Sequence, residues 1–339
     1  MNIGTEKRSS NWRLPAEWEP QEAVQLTWPH RDTDWAPMLD EITAVYREMA
    51  REIARRERLI IVAPEDAARD CLRIICPTND TWARDHGFIS LVDDRGHRRL
   101  LDYQFNGWGR KFEADLDNAI NHRLYESGEL EGEYVDCLDF VLEGGSIESD
   151  GRGTIFTTTG CLLAPNRNQP LKKSEIEQRL LQNLGAERVI WIDHGSLTGD
   201  DTDGHIDTLV RICPDDTLLY MGCDDPADEQ YEELRLMEEQ LKTLRTLGGQ
   251  PYKLVKLPMP RPIYDDGDRL PATYANFLIL NGAVLCPTYG QSDLDSEALR
   301  LIGEAFPDRE MVAIDSRPII RQHGSIHCCT MQFPEIIKK

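Results

Sequence analysis

Several features that identify common classes of protein are missing from this 339-residue chain. No apolar run approaches the roughly 18 residues of a membrane-spanning helix, and the first residues contain no apolar signal-peptide core. Neither a Gly-x-Gly-x-x-Gly loop nor a Walker loop for nucleotide phosphates is present. The basic excess that a nucleic-acid partner requires is also missing, because the formal net charge is −22. We therefore expect no membrane partner and no nucleic-acid partner.

The cysteine pattern excludes two further classes of protein. The nine cysteines contain no Cys-x-x-Cys pair and are odd in number, which is typical of reduced thiols in the cytoplasm rather than a disulfide framework. No His-Glu-x-x-His or paired-cysteine spacing indicates zinc. An EF-hand register over the acidic stretch 199–210 would begin at Gly199 and end at Val210, neither of which offers a carboxylate to calcium. We therefore predict no metal site.

Short β-rich segments alternate with helical segments along the chain. Apolar residues recur every three to four positions in three segments, which predicts helices at residues 39–57, 174–184 and 228–247. Ser-Glu-Ile-Glu at 174–177 is typical of a capping box. Runs bounded by Gly, Pro and Asp predict strands at residues 23–28, 59–63, 87–92, 154–159, 188–192, 217–222, 252–257, 277–280, 283–286 and 311–315. The alternation indicates a mixed α/β fold, and no linker divides residues 1–339, so we predict one domain.

His205 and Asp207 stand two residues apart at the start of an apolar run. If that run is a strand, both side chains point to the same face. An imidazole beside a carboxylate is suited to acid/base catalysis, although taken alone such a pair is more often structural. The pair acquires a chemical meaning only if a nucleophile lies nearby.

Cys328 is the candidate nucleophile, because it follows a Gly-Ser-Ile-His sequence rather than an ordinary apolar run. Its neighbour Cys329 would face the opposite way on a strand, so only one of the two thiols should reach a site. The remaining cysteines are interpreted as buried structural thiols: Cys71, Cys76, Cys137, Cys161, Cys213, Cys223 and Cys286.

Residues 79–87 combine acids, an arginine and a tryptophan just before a predicted strand. Asp85 is suited to accept hydrogen bonds from a planar cation whose face lies against Trp82. The alternative is a structural turn closed by an ion pair between Asp80 and Arg84.

Glu143 ends another apolar run and is followed by two glycines. Glycines allow a close approach of backbone or ligand, and a carboxylate there could orient an imidazole as the third member of a catalytic group. The alternative is a surface glutamate at a turn. A thiol, an imidazole and several carboxylates without a phosphate-binding loop suit attack on a guanidinium carbon, with aspartates holding its nitrogens.

Eight segments of the chain, taken together, resemble the agmatine deiminase and bacterial peptidyl-arginine deiminase family of guanidine-modifying enzymes. They are residues 14–20, 27–30, 79–87, 106–109, 143–146, 199–207, 275–277 and 326–328. The resemblance implies a five-fold pseudosymmetric α/β propeller, the pentein fold, with the active site at its central axis. It also implies an enzyme that needs no cofactor, acts on a small cationic guanidine in polyamine metabolism, and is compatible with a homo-oligomer.

The resemblance assigns a role to each candidate residue. The catalytic roles are the nucleophile Cys328, which would form a thiouronium-type intermediate, the general acid/base His205 and its orienting carboxylate Glu143. Asp85 and Asp207 would bind the guanidinium, and Trp82 would line the pocket. We therefore predict hydrolysis of agmatine to N-carbamoylputrescine and ammonia.

Other functions on the same motifs stay open at this point. A deiminase of free or peptidyl arginine and an amidinotransferase share the chemistry at the guanidinium carbon. A non-catalytic binder of cations is a further alternative, but it would have no need of Cys328 or His205. The sequence departs from the family pattern at residues 323–325 and after Cys328, so recognition of the substrate's tail is not fixed by the motifs.

Overall fold

The computed structural model of this chain describes residues 12–64 and 72–337. Five units of the same kind follow one another, each with a three-stranded core and a helix. In every unit an inner strand pairs antiparallel with a middle strand, which pairs parallel with an outer strand. A parallel pair needs a crossover connection, and here a helix links each middle strand to its outer strand.

The strands of the five units have the following bounds. The inner strands are Ile89–Asp93, Ile147–Ser149, Val210–Cys213, Leu278–Leu280 and Thr330–Pro334. The middle strands are Arg98–Gln104, Thr154–Thr158, Thr217–Met221, Ala283–Thr288 and Gln21–Thr27. The outer strands are Glu133–Val141, Arg188–Ile192, Lys253–Leu257, Glu310–Asp315 and Arg58–Ala63. Further strands are Trp12–Arg13, Leu72–Ile75, Tyr264–Asp265 and Asp268–Arg269.

The fifth unit is built from both ends of the chain. Its inner strand, Thr330–Pro334, pairs with the middle strand Gln21–Thr27 near the amino terminus. This pairing closes the series of units, so that the segment before Thr330 is held next to segments from the other four. Five repeated α/β units agree with the predicted five-fold propeller.

The crossover helices are amphipathic and pack on their own sheets. They are Ile120–Glu126, Lys173–Leu184, Tyr231–Thr243, Ser292–Ala305 and Leu39–Ala54. In the last of these, Ile42, Val45, Met49 and Ile53 are buried, as their spacing predicts. Short α-helices are Ala83–His86, Gly107–Arg110, Asp115–Asn118, Thr159–Leu162 and Arg317–Ile320, and 3-10 turns are Ala36–Met38, Gly144–Ser146 and Ile206–Thr208.

The three predicted helices differ from the structure at some of their termini, and the helix predicted at 39–57 ends at Ala54. The backbone N–H of Lys172 donates to the Glu175 carboxylate at 2.8 Å, so the cap forms at Lys172 and not at Ser174. Lys173–Leu184 ends as predicted at Gly185, which has a φ of 64°. The predicted helix at 228–247 is shorter, since Leu244 adopts an extended backbone conformation.

All ten predicted strands are present within one or two residues of their predicted ends, but other elements were not predicted. The larger elements that are present in the structure but were not predicted include strands Arg98–Gln104, Glu133–Val141, Ile147–Ser149 and Thr330–Pro334, and helices Ile120–Glu126 and Ser292–Ala305. Glu133–Val141 has acids among its outward positions, and Leu138 is exposed, which hides the alternation of a strand. The predicted start of a strand at Ile206 is wrong, because Ile206–Thr208 forms a 3-10 turn and the strand begins at Val210.

Within the described ranges, no helix combines the length and the apolar character needed to span a bilayer. Eight cysteines lie in the described residues, and all eight are buried and free. Cys71 and the amino-terminal residues considered for a signal peptide lie outside the described residues.

Candidate active site

The starts of the five inner strands converge on one buried group of polar side chains. A few residues before these strands stand Asp85, Glu143, His205 with Asp207, Asn276 and Cys328. Each of these six residues is at most 3% exposed. The topology is the same in all five units, so the segment before each inner strand lies at the equivalent position. Each unit therefore contributes at least one side chain to the centre. The structure therefore brings together the five residues that the sequence singled out as catalytic.

Asp85 lies in the short helix Ala83–His86 and accepts two hydrogen bonds. The backbone N–H of Gly145 donates to Oδ1 at 3.1 Å, and the indole N–H of Trp108 donates to Oδ2 at 2.9 Å. Burial raises the pKa of Asp85 to about 6, an effect that the nearby His205 opposes and Asp207 adds to. Asp85 is thus a buried carboxylate that no arginine or lysine contacts among the described residues.

His205 faces Asp85, with 3.6 Å between Nδ1 and the nearer carboxylate oxygen. Burial disfavours its charged form, but the negative charges around the ring, that of Asp85 first, outweigh burial and hold the pKa of His205 well above its ordinary value. His205 and Asp207 both reach the site, but not because they alternate on a strand. The 3-10 turn Ile206–Thr208 turns both side chains inward.

Asp207, Asn276 and Cys328 form a hydrogen-bonded group. Asn276 donates from Nδ2 to Asp207 Oδ2 at 3.1 Å, and its Oδ1 lies 3.4 Å from Cys328 Sγ and 3.3 Å from the backbone nitrogen of Cys328. Cys328 Sγ is 3.9 Å from Asp207 Oδ2. The other oxygen of Asp207, Oδ1, is buried and has no hydrogen-bond partner among the described residues. This oxygen is available to a ligand.

Cys328 is protonated under ordinary conditions. Burial and the negative charges of Asp207 and Asp85 raise the pKa of its thiol well above the ordinary value. Cys328 lines a pocket, whereas the neighbouring Cys329 packs in the core beside Tyr46 and does not line it. Only one of the two adjacent thiols reaches the site, as expected, although residues 326–329 form a turn rather than a strand.

Glu143 is fully buried and pairs with an arginine that the sequence analysis did not single out. The Nε of Arg167 donates to Glu143 Oε1 at 2.9 Å, and Arg167 also contacts Asp203 at 2.6 Å. The second oxygen of Glu143, Oε2, has no hydrogen-bond partner among the described residues. Glu143 and His205 approach without a direct hydrogen bond, so the predicted orienting contact is not formed in this arrangement.

Gly145, the second glycine after Glu143, allows the side chains of the site to pack closely around its backbone. A Cβ atom added at Gly145 would lie 2.5 Å from His205 Nδ1, 2.9 Å from Asp85 Oδ1 and 3.2 Å from Asp207 Oδ2. These distances are too short for any larger residue, so only glycine lets its backbone N–H reach Asp85 while the histidine stays in place.

Trp82 forms one wall of the pocket. Its indole N–H donates to Asp80 Oδ2 at 3.0 Å, and its ring lies 5.7 Å from the ring of Trp35. The alternative of an ion pair between Asp80 and Arg84 is wrong, since Arg84 instead donates to the backbone oxygen of His327. Asp80 therefore fixes the aromatic wall.

The pocket above Cys328 has a volume of about 150 Å³ and is aromatic and acidic. Its lining residues are Asp34, Asp80, Trp82, Asp85, Trp108, Phe112, Asp201, Thr202, Gln322, His323, Gly324 and Cys328. Four of them are aspartates, and none of these lining residues is a lysine or an arginine. The arrangement favours a slender cation with a planar end that fits between aromatic rings.

A second buried ionic group contacts Asp207 from the other side; it contains Glu17, Glu148, Arg211 and His327 and is called the Glu17 cluster below. His327 lies 2.7 Å from both Asp207 and Glu17, one carboxylate at each ring nitrogen. Each ring nitrogen of His327 therefore faces a carboxylate oxygen that can accept a hydrogen bond from it. Arg211 donates to Glu148 at 2.6 Å and to Glu17 at 2.7 Å.

In the part of the chain that the structure describes, two groups of His, Cys or carboxylate side chains are close enough for one ion, with donor atoms within 4.8 Å of one another. They are Glu143 with Cys161 and His205, and Glu17 with Glu148 and His327. In both groups an arginine already pairs with the carboxylates, Arg167 in the first and Arg211 in the second. Positive charge is thereby supplied, and we assign no metal ion to either group.

Sequence reasoning missed several residues that the structure places in or against the site. They are Trp108, Cys161, Arg167, Asn276 and His327. Asn276 gave a usable signal, because it stands before a predicted strand just as Asp85 does. Arg167 and Cys161 gave none, since they come from a loop and a helix that follow a middle strand.

Comparison with known proteins identifies the family. The model of Porphyromonas-type peptidyl-arginine deiminases matches residues 13–334. A "putative agmatine deiminase" of Marinomonas sp. (strain MWYL1) is 34% identical over 361 residues, covering 98% of this chain and 96% of that protein.

Solved structures agree with this result. A "putative arginine deiminase" from Porphyromonas gingivalis is 50% identical with a TM-score of 0.90, covering 96% of this chain and all of the other. A cysteine-to-serine agmatine deiminase of C. jejuni with substrate bound is 36% identical with a TM-score of 0.90, covering 96% and 97%. These matches confirm the predicted fold and the predicted class, a guanidine-modifying enzyme of the deiminase type. The chain therefore belongs to the Porphyromonas-type peptidyl-arginine deiminase family.

Proposed function

We propose that this protein is an agmatine deiminase, which hydrolyses agmatine to N-carbamoylputrescine and ammonia. The observation that carries the proposal is a buried thiol, Cys328, at the base of an acidic aromatic pocket and 3.9 Å from Oδ2 of Asp207, whose other carboxylate oxygen has no hydrogen-bond partner among the described residues. A guanidinium is the cation whose planar shape and electrophilic carbon use all of these groups.

Two carboxylates are available to bind the guanidinium. Asp207 offers Oδ1, which no described residue contacts, and Asp85 retains lone pairs beside its two N–H donors. Trp82 and Trp108 supply the pocket walls, and an aromatic face attracts a cation by about 0.5–2 kcal/mol. The positive charge of the substrate thus matches the buried negative charges of Asp85 and Asp207.

Binding of the cation also activates the thiol. Asp207 and Asp85 help to keep Cys328 protonated in the free enzyme, so neutralising them lowers the pKa of the thiol. The thiol proton leaves to solvent, and the thiolate attacks the guanidinium carbon to form a new carbon–sulfur bond. Activation therefore follows substrate binding instead of preceding it.

His205 supplies the remaining proton transfers. Its raised pKa makes it an imidazolium, which protonates the leaving nitrogen as the carbon–nitrogen bond breaks and ammonia departs. The neutral imidazole then takes a proton from water, whose oxygen attacks the thiouronium carbon. The carbon–sulfur bond breaks as the proton of the new hydroxyl passes to sulfur, so the ureido product leaves and the thiol is restored, while the water proton has already restored the imidazolium.

The outer part of the pocket supports agmatine over arginine. Asp34, Asp80 and Asp201 line it, and no lysine or arginine is among its lining residues. An ammonium tail is attracted by these acids, whereas the α-carboxylate of free arginine would be repelled. The relative from Marinomonas and the structure from C. jejuni are both named agmatine deiminases.

A deiminase acting on free or peptidyl arginine is the second candidate. The observation that favours it is the 50% identity with a structure named an arginine deiminase. Amidino transfer to an amine would use the same thiol and the same carboxylates. A transferase passes the carbon to an amine and forms no ureido product.

Several further expectations accompany the proposal. We infer that residues 1–339 form a single catalytic domain, because segments from all five units supply the site. The net charge and the cysteine usage favour a cytoplasmic protein with a small cationic guanidine substrate and without nucleic-acid or membrane partners. Assembly into a homo-oligomer is a further proposal, which light scattering of the purified protein tests.

The deciding experiment measures ammonia and ureido product from agmatine, arginine and a blocked arginine peptide in parallel. Turnover of agmatine at a kcat/KM well above those of the other two is the expected result. A higher kcat/KM for arginine or the blocked arginine peptide would contradict the assignment of agmatine as the substrate. Ammonia release without a ureido product would contradict hydrolysis.

The nucleophile is tested with two adjacent cysteines. Cys328→Ser should lower kcat by at least about 10³-fold, because a hydroxyl is a far weaker nucleophile in this setting. Cys329→Ser is the matched control, since Cys329 is equally buried but does not line the pocket. Equal activity of the two variants would remove Cys328 from the mechanism.

A further inference from the structure

Cys161 lies near His205, although the sequence analysis interpreted it as a buried structural thiol. It belongs to the short helix Thr159–Leu162 and is fully buried. Thr158 caps this helix by accepting a hydrogen bond from the Cys161 N–H at 3.2 Å, and its hydroxyl donates to the Gly204 backbone oxygen at 2.6 Å. The cap therefore ties Cys161 to the residue immediately before His205.

Two buried polar groups next to Cys161 lack hydrogen-bond partners among the described residues. One is the imidazole of His205, where neither ring nitrogen has a partner within hydrogen-bond distance. The other is Oε2 of Glu143, because Arg167 occupies only Oε1. Donor atoms of Cys161, Glu143 and His205 lie within 4.8 Å of one another. A buried polar group without a partner costs about 1–3 kcal/mol, so both groups need one.

A thiol is suited to connect these two groups, because it is both a hydrogen-bond donor and an acceptor. The imidazolium of His205 has only N–H donors, and Glu143 Oε2 is only an acceptor. The Cys161 sulfur lies within 4.8 Å of both groups without bonding to either in this arrangement, and a small shift would let it accept from the ring and donate its own proton to the carboxylate. Burial raises the pKa of Cys161, which keeps the thiol protonated and able to donate.

We propose that Cys161 is a positioning residue for the general acid/base, completing a chain from Arg167 through Glu143 and the Cys161 thiol to His205. This inference rests on the proposed function, since it gives His205 its catalytic role. Sulfur is a weak acceptor, so the chain fixes the ring without holding its proton as firmly as a direct carboxylate would. The proton remains transferable to the leaving nitrogen.

The charged and titratable groups that face His205 are Asp85, Asp207, Glu143, Arg167 and Cys161. Cys161→Ala leaves the others in place and removes only the connecting sulfur. We expect kcat to fall about 10-fold or more, a part of the 10²–10⁴ that general acid–base catalysis contributes. KM for agmatine should change little, because Cys161 does not line the pocket.

Cys161→Ser is the conservative variant, since a hydroxyl keeps both the donor and the acceptor, and it should recover most of the lost kcat. Cys286→Ala is the matched control for removing a buried thiol, because Cys286 is fully buried in a different unit and contacts Val284 and Met311. Cys286→Ala should leave kcat and the pH profile unchanged, even if it lowers stability.

A second readout needs no turnover and therefore separates this inference from the proposed function. The ring nitrogens of His205 are followed by ¹⁵N NMR through a pH titration of wild type, Cys161→Ala, Cys161→Ser and Cys286→Ala. We expect the titration midpoint of His205 to move in Cys161→Ala alone. If Cys161→Ala matches Cys286→Ala in both kcat and titration, Cys161 is a packing residue and the inference is wrong. A wild-type protein that turns over no guanidine, but whose His205 titration still depends on Cys161, would contradict the proposed function alone.

Discussion

Asp85 and Glu17 are both buried carboxylates beside a histidine, yet their surroundings shift their pKa values in opposite directions. Burial raises the pKa of Asp85 to about 6, and its hydrogen bonds come only from neutral N–H groups. Burial acts on Glu17 in the same sense, but His327 and Arg211 outweigh it and hold the pKa of Glu17 well below its ordinary value.

The difference separates a site prepared for a cation from one that already contains its cations. Glu17 accepts from Arg211 and His327 at 2.7 Å each, and the Ile279 N–H at 2.9 Å fills its other oxygen. Around Asp85 the structure supplies no arginine or lysine among the described residues, and His205 stays 3.6 Å away. We infer that the guanidinium of the substrate pairs with the carboxylate of Asp85, as the guanidinium of Arg211 pairs with the carboxylate of Glu17.

Among the substitutions that test this comparison, neutralising the acid of the substrate site should give the largest effect on activity. Asp85→Asn leaves a bound guanidinium without one of its two carboxylates, which costs about 3–5 kcal/mol for a buried pair. We expect kcat/KM for agmatine to fall about 10²- to 10⁴-fold. Stability of the empty enzyme should change little, because the substitution also removes a buried charge whose ionisation is costly at neutral pH.

Steady-state kinetics and urea unfolding of the same Asp85→Asn preparation measure the two effects together. A large loss of stability without substrate would show that Asp85 belongs to the structural charges, as Glu17 does. An unchanged kcat/KM would remove Asp85 from substrate binding.

Neutralising the acid of the Glu17 cluster should act mainly on stability. Glu17→Gln leaves Arg211 and His327 with one carboxylate fewer, so we expect a loss of about 3 kcal/mol in the free energy of unfolding at pH 7. The pKa of Glu17 is lowered in the folded state, so its contribution is present above its ordinary value of 4.5 and declines as pH falls through the folded value.

Urea unfolding of wild type and Glu17→Gln at pH 7 and at pH 4 tests this sign. The difference in unfolding free energy should be smaller at pH 4, where Glu17 is partly protonated in the unfolded chain. A difference that grows on acidification would contradict the assignment of Glu17 as an ionised partner of Arg211 and His327.

How much of the site could be predicted from the sequence depends on whether a residue has a recognisable local pattern around it. Several residues that precede an inner strand could be recognised from their local sequence: Asp85 stands before a predicted strand, Glu143 ends an apolar run before two glycines, and Cys328 follows Gly-Ser-Ile-His. The geometry behind the prediction for His205 and Asp207 was wrong, since a 3-10 turn and not strand alternation brings them together. Their spacing of two residues satisfies either geometry.

The partners of these residues could not be predicted in the same way. Trp108 donates to Asp85 across 23 positions of sequence, and Arg167 reaches Glu143 across 24. Such contacts depend on how the segment before an inner strand packs against the segment after the middle strand of the same unit, and no local periodicity encodes them. The strand Thr330–Pro334 was missed for a related reason, because its partner Gln21–Thr27 lies at the other end of the chain.

The smallest expected effect concerns the hydrogen bond from Trp108 to Asp85. This bond favours the charged carboxylate, so Trp108→Phe should raise the pKa of Asp85 above its value of about 6. Asp85 must be ionised to bind the guanidinium, and the acid limb of kcat/KM should therefore move to higher pH by about one unit, since a hydrogen bond to a charged group contributes about 1.5–3 kcal/mol. Trp35→Phe is the matched control, because its buried indole N–H donates to Asp80 and Thr81 instead. A pH profile that moves equally in both variants, or toward lower pH in Trp108→Phe, would show that the ionisation of Asp85 does not govern substrate binding.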